Sequence, residues 1–99
     1  MNKTLAALAA AGLTAACVPP QGVNQDDLLK WDAAVTSIGC DLVDDSDYLP
    51  VELQTGLPRE KVQEIAQYKI NTKEAVSLTN GGVRLVTGAC TPQEAPAEA

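Results

Sequence analysis

The chain has 99 residues with 13 acidic and 7 basic side chains, a net charge of −6, and no histidine or phenylalanine. That length allows one small domain with a modest core, built from Val, Leu, Ile and Ala around three aromatics, Trp31, Tyr48 and Tyr68. The acidic balance argues against a nucleic-acid-binding surface. Without histidine, acid–base work would fall to carboxylates, lysine or tyrosine, and no acid pair stands out from an apolar pocket.

Residues 1–17 carry Lys3 near the start, continue through an apolar and small-residue run from Leu5 to Ala16, and close on Cys17. A positive n-region, an apolar stretch of roughly 7–15 residues and small residues at a cut are the layout of an export signal. The run is too short to span a bilayer, which takes about 20 apolar residues. Leu13-Thr-Ala-Ala-Cys17 resembles the lipobox of bacterial lipoproteins, with Ala15, Ala16 and Cys17 matching and Thr14 standing where leucine is usual. The resemblance implies acylation of Cys17 as the first mature residue and a lipid anchor to the membrane. Two alternatives stay open: cleavage at Thr14-Ala15-Ala16 with simple secretion, or an uncleaved Ala-rich helix in a cytoplasmic protein. Residues 1–16 are thus expected as a signal peptide and 17–23, with Pro19 and Pro20, as an extended tether. Removal of residues 1–16 takes away only Lys3 among the charged residues, leaving six basic against thirteen acidic, a net −7.

Residues 24–91 are expected to form the domain. Asn24 can cap a first helix running to Gly39, with Asp26 and Asp27 in its first turn and Leu28, Trp31, Val35 and Ile38 on one stripe. Gly39 would end it and deliver Cys40 to the body of the fold. With Cys17 set aside for lipid, Cys40 and Cys90 are an even pair in an oxidising compartment. A bridge between them closes a loop of about 50 residues and contributes about 4 kcal/mol on the chain-entropy account. They lack the Cys-x-x-Cys spacing of a redox pair, and two cysteines cannot supply a four-ligand zinc site.

Asp41-Leu-Val-Asp-Asp-Ser-Asp47 carries four carboxylates in seven residues. It does not fit the calcium-loop template, because counting from Asp45 puts Leu49 at the fifth position and Pro50 at the sixth. It reads instead as an exposed loop ending in Asp47 as the cap of a short helix, Tyr48 to Thr55, stopped by Gly56, with Pro50 at the third helical position, where its missing N–H does no harm. A third helix follows from Pro58 to about Asn71, with Val62, Ile65, Ala66 and Ile70 on its apolar face. Val76–Leu78 and Val83–Leu85 around Asn80-Gly81 read as a hairpin with a two-residue turn. That register pairs Leu78 with Val83 and Val76 with Leu85 on one face, leaving Ser77 and Arg84 toward water. Residues 92–99 have little to bury and read as a disordered tail.

The expected fold class is α+β: a small three-helix domain followed by a β-hairpin, stapled by one disulfide. The order from Asp47 to Leu85, with Leu53-Gln-Thr-Gly-Leu57-Pro-Arg-Glu-Lys-Val62 at the turn, resembles a winged helix-turn-helix. In that family the second helix of the motif enters DNA and the wing touches backbone, which would put Arg59, Lys61, Lys69, Lys73 and Arg84 at contacts. Pro58 stands where the family usually places a Ser or Thr cap. Net negative charge and export both work against DNA as the partner.

The reading that results is a non-catalytic, membrane-anchored envelope lipoprotein facing the periplasm, or a secreted protein if Cys17 is not acylated. It would act as an accessory or protein-interaction module. Its partners would be the membrane, through Cys17, and another envelope protein, with no nucleic acid, cofactor, metal or small-molecule substrate. The basic residues Arg59, Lys61, Lys69 and Arg84, which stand out from an otherwise acidic sequence, are its candidate partner-binding set. The alternative, if residues 1–17 are not a signal, is a winged-helix DNA-binding protein.

Overall fold

The computed structural model describes residues 18–92. The leader with Cys17 and residues 93–99 of the tail lie outside them. Three helices, α1 (Gln25–Ser37), α2 (Asp45–Thr55) and α3 (Arg59–Asn71), pack against a three-stranded antiparallel sheet of β1 (Asp41–Leu42), β2 (Ala75–Ser77) and β3 (Val83–Leu85), in the order β1-β3-β2. A 3₁₀ turn, Gly88–Cys90, ends the fold. The result is the expected α+β, winged-helix-like arrangement with its disulfide: Cys40 and Cys90 are joined, with their Cα atoms 5.8 Å apart.

Local chemistry sets α1 as expected. The Asn24 side chain accepts from the Asp27 amide at 2.8 Å and Asp27 accepts from the Asn24 amide at 3.1 Å, a reciprocal capping box. Leu28, Trp31, Ala34 and Val35 are buried, and Ile38 packs against the core edge. They meet Leu42, Val51, Val62, Ile65, Ala66 and Leu85 in one cluster. Trp31 has no exposed surface, and its indole N–H donates to the Val62 carbonyl at 3.2 Å, tying α1 to α3. That bond satisfies the one polar atom of a ring buried for its apolar area.

Three expectations for residues 41–55 need correction. Residues 41–47 are not wholly a loop: Asp41 and Leu42 pair with Arg84 and Val83 as β1, and Leu42 is buried. Helix α2 starts earlier than expected. Asp44 is the N-cap, and the Asp47 carboxylate turns back to accept from the amides of Val43 and Asp44. Pro50 therefore lies inside α2, beyond the first turn, where its missing N–H does remove a helix bond.

The hairpin is present, one residue out of the expected register. Ala75 pairs with Leu85, Val76 with Arg84 and Ser77 with Val83. The Leu78 amide donates to Gly82 O at 2.8 Å and the Gly81 amide to Leu78 O at 3.1 Å, so three residues, Thr79-Asn80-Gly81, form the turn. Gly81 takes the positive φ (+90°) that such a loop needs. A one-residue change flips the strand: Ala75 faces inward and Val76, 45% exposed, faces out beside Arg84. Gly82 is fixed by packing, since a Cβ there would lie 2.7 Å from Val43 Cγ2 and 2.8 Å from Leu42 O.

Residues 18–23 are not the extended tether expected. The Val23 amide donates to Pro20 O at 3.1 Å, closing a turn through Gly22 at φ +81°. Val23 packs against the core, and Gln21 O accepts from the Lys61 ammonium at 2.8 Å.

Candidate functional site

The five basic side chains singled out from α3 and the hairpin do not gather into one surface. Arg59, at the start of α3, reaches back across the Gly56-Leu57 turn to α2. Its Nε donates to Glu52 at 2.6 Å, its Nη1 to Asp45, and its guanidinium lies 4.9 Å from the centre of the Tyr48 ring. Arg84 on β3 holds Asp41 on β1 through two bonds of 2.7 and 2.9 Å. That bidentate pair keeps the Asp41 carboxyl below its usual range, the hydrogen bond from Arg84 being the main cause. Lys61 is shared between Gln21 O and Glu64, the latter at 3.1 Å.

Lys69 is not on the surface at all. It is 3% exposed and lies between α1 and the start of β2. Its ammonium is 2.7 Å from Glu74, 2.9 and 3.1 Å from the two oxygens of Asp32, and 5.9 Å from the Trp31 ring. Burial pushes the ammonium down, but the bonds to Glu74 and Asp32 more than offset this and hold it above the usual lysine value. Asp32 Oδ1 is buried and within charge contact of Lys69, while only Oδ2 has hydrogen-bond geometry. Lys69 is therefore removed from the partner-binding set. Lys73 is exposed and forms no ion pair with a described residue.

The roles of Asp32, Glu52, Asp41 and Glu74 as partners escaped sequence reasoning, because Asp32 and Asp41 lie 37 and 43 residues from the cation they hold and the other two reach theirs across a turn. One signal was available: Lys69 falls on the Val62-Ile65-Ala66 stripe at helical spacing, so it points to the core.

On α3 the positive charge is largely answered from within the chain, which leaves little to neutralise phosphates. Among the described residues no group of three or more cysteines or acids is placed to hold a metal, and no helix is long and apolar enough to cross a membrane.

Among the described residues, an open groove of about 450 Å³ lies between the Pro20–Val23 turn and α3. Its lining includes Val18, Gln21, Lys61, Glu64, Gln67, Tyr68 and Asn71. It offers a paired amine and carboxylate, side-chain amides and one aromatic edge, which suits contact with polar groups rather than enclosure of an apolar ligand. A separate apolar feature lies on α2, where Leu49 and Leu53 are 54% and 83% exposed on the side away from buried Val51 and Thr55. Compared with protein-family models, curated proteins and solved structures, the chain matches none.

Proposed function

We propose that this chain is a non-catalytic envelope lipoprotein, exported by residues 1–16, anchored through acylated Cys17 and serving as an accessory or protein-interaction module. The leader carries the reading. The Cys40–Cys90 bond adds support, because a structural disulfide belongs to an oxidising compartment. With Cys40 and Cys90 paired, Cys17 is left for another use, and acylation supplies one.

The interaction surface proposed for another envelope protein changes with the geometry. Lys69 is inside, and Arg59 and Arg84 are clamped by this chain's own acids, so a partner would have to displace Glu52, Asp45 or Asp41 to engage them. Lys61 is held as well, by Gln21 O and Glu64, so Arg84, with about half its side chain exposed, is the most accessible member of the set.

Mass spectrometry of protein from its natural host is the test. The expected result is a chain beginning at Cys17 with an acyl-modified mass and two cysteines that resist alkylation until reduced. An unmodified chain retaining Met1, with Cys40 and Cys90 both free, would overturn the reading.

A further inference from the structure

We propose that the anchored domain lies flush on the bilayer with its α3 groove against the lipid headgroups, an orientation set by the folded Pro20–Val23 turn. The inference rests on the lipoprotein reading and adds the face that meets the membrane. Cys17 is one peptide from Val18, so their Cα atoms are about 3.8 Å apart, and Val18 lines the groove. A long flexible spacer would let the domain swing; here only Val18 and Pro19 stand between Cys17 and the turn. The turn is closed by the Val23–Pro20 bond, pinned to α3 by the Lys61–Gln21 bond and packed through Val23.

Acyl chains must enter the hydrocarbon, which places the cysteine backbone in the headgroup layer, about 5–7 Å deep on each side. The groove is then at the same level. Its chemistry fits a zwitterionic headgroup layer: Lys61 has one N–H beyond its bonds to Gln21 O and Glu64 to offer phosphate, Glu64 faces the headgroup amines, Gln67 and Asn71 offer amides, Tyr68 is an amphipathic ring of the kind enriched at membrane interfaces, and Val18 is 61% exposed. The outward leucines of α2 contribute nothing to the groove and are left for a protein partner.

The test uses the full acylated protein in phosphatidylcholine–phosphatidylethanolamine vesicles carrying a nitroxide on a fraction of the headgroups. Gln67→Trp and Leu53→Trp each add one exposed reporter over the same fully buried Trp31. Quenching at position 67 should be several-fold stronger than at 53, and Gly22→Val, which strains the φ +81° turn, should erase most of the difference. Equal quenching at 67 and 53 in protein shown by mass to be acylated would overturn the docking while leaving the anchor intact. A contrast unmoved by Gly22→Val would overturn the role of the turn. A native chain with no acyl group on Cys17 would remove both the orientation and the reading beneath it.

Discussion

At the end of α1 the chain turns through Gly39 at φ +104°, and the Cys40 amide reaches back to Val35 O at 2.9 Å while Gly39 N reaches Thr36 O. At the end of α3 it turns through Lys73 at φ +70°, and the Glu74 amide reaches back to Lys69 O at 2.8 Å while Lys73 N reaches Ile70 O. Both are Schellman stops, each with one bond spanning five residues and one spanning three. They differ in what holds the residue after the stop. Cys40 is bound covalently to Cys90, whereas Glu74 is bound to Lys69, one turn back, in a largely buried ion pair. The same backbone geometry is thus secured once by sulfur and once by charge. Both ends carry a side chain in the left-handed region, Cys40 at φ +79° directly after Gly39 and Lys73 at φ +70° at the turn itself.

The covalent end should be the costlier to break. Replacing both Cys40 and Cys90 by serine should lower stability by about 2–5 kcal/mol, read as a fall in Tm matched by adding reductant to the natural protein. A variant as stable as the parent would mean that the helix stop holds without its bond. At the charged end, Lys69→Met leaves the buried Asp32 Oδ1 without its cation and should cost about 1–3 kcal/mol. Lys69→Glu should cost more, since it adds a third carboxylate to the site. Loss of partner binding in that variant would therefore report on folding rather than on an interface.

The two ends also respond differently to pH. Because the Lys69 pKa is raised in the fold, its contribution is complete below the ordinary lysine value of 10.5 and is lost as pH climbs through the higher folded value. Urea midpoints between pH 9 and 12 should fall in the parent, and less in Lys69→Met. On the acid side Asp41 has the opposite sense. Its lowered pKa gives stability that is present above the ordinary value of 3.8 and lost as pH falls through the folded one.

Smaller changes sharpen the comparison at the glycine and lysine positions themselves. Gly39→Ala puts a Cβ where the backbone disfavours one and should cost on the order of 1–2 kcal/mol. Lys73→Gly does the reverse at the other stop and should gain up to about 1 kcal/mol, the relief of strain being partly offset by the entropy of glycine. Lys61→Glu breaks the bond to Gln21 O and sets a second carboxylate beside Glu64, and should cost on the order of 1 kcal/mol. Lys61→Gln, which keeps a donor for Gln21 O while removing the charge, should cost less and is the better variant for testing partner or membrane contact by co-purification.

These two ends also show what sequence could and could not yield. Gly39 followed by Cys40 announces its stop, because glycine at the left-handed position and an apolar stripe before it are both local signals. Lys73-Glu74 announces nothing, since the ion pair that completes it depends on α1 bringing Asp32 alongside Lys69. Strand β1 was hidden for the same reason: two residues inside an acidic run become a strand only when β3 lies beside them. The hairpin was legible in kind from Asn80-Gly81. Its register was not, because Val76 is the more apolar residue while Ala75 is the one that fits beneath Leu85. The basic set read as a surface because the acids that answer it, Glu52, Asp45, Asp41 and Asp32, belong to other elements.

The span enclosed by the Cys40–Cys90 link contains α2, α3 and the whole hairpin, including the exposed Thr79-Asn80-Gly81 bend. A protease that clips this bend would cut the chain without releasing a fragment. The nicked molecule would keep its mass apart from one added water, migrate as a single species, and come apart into two peptides only once a thiol was supplied.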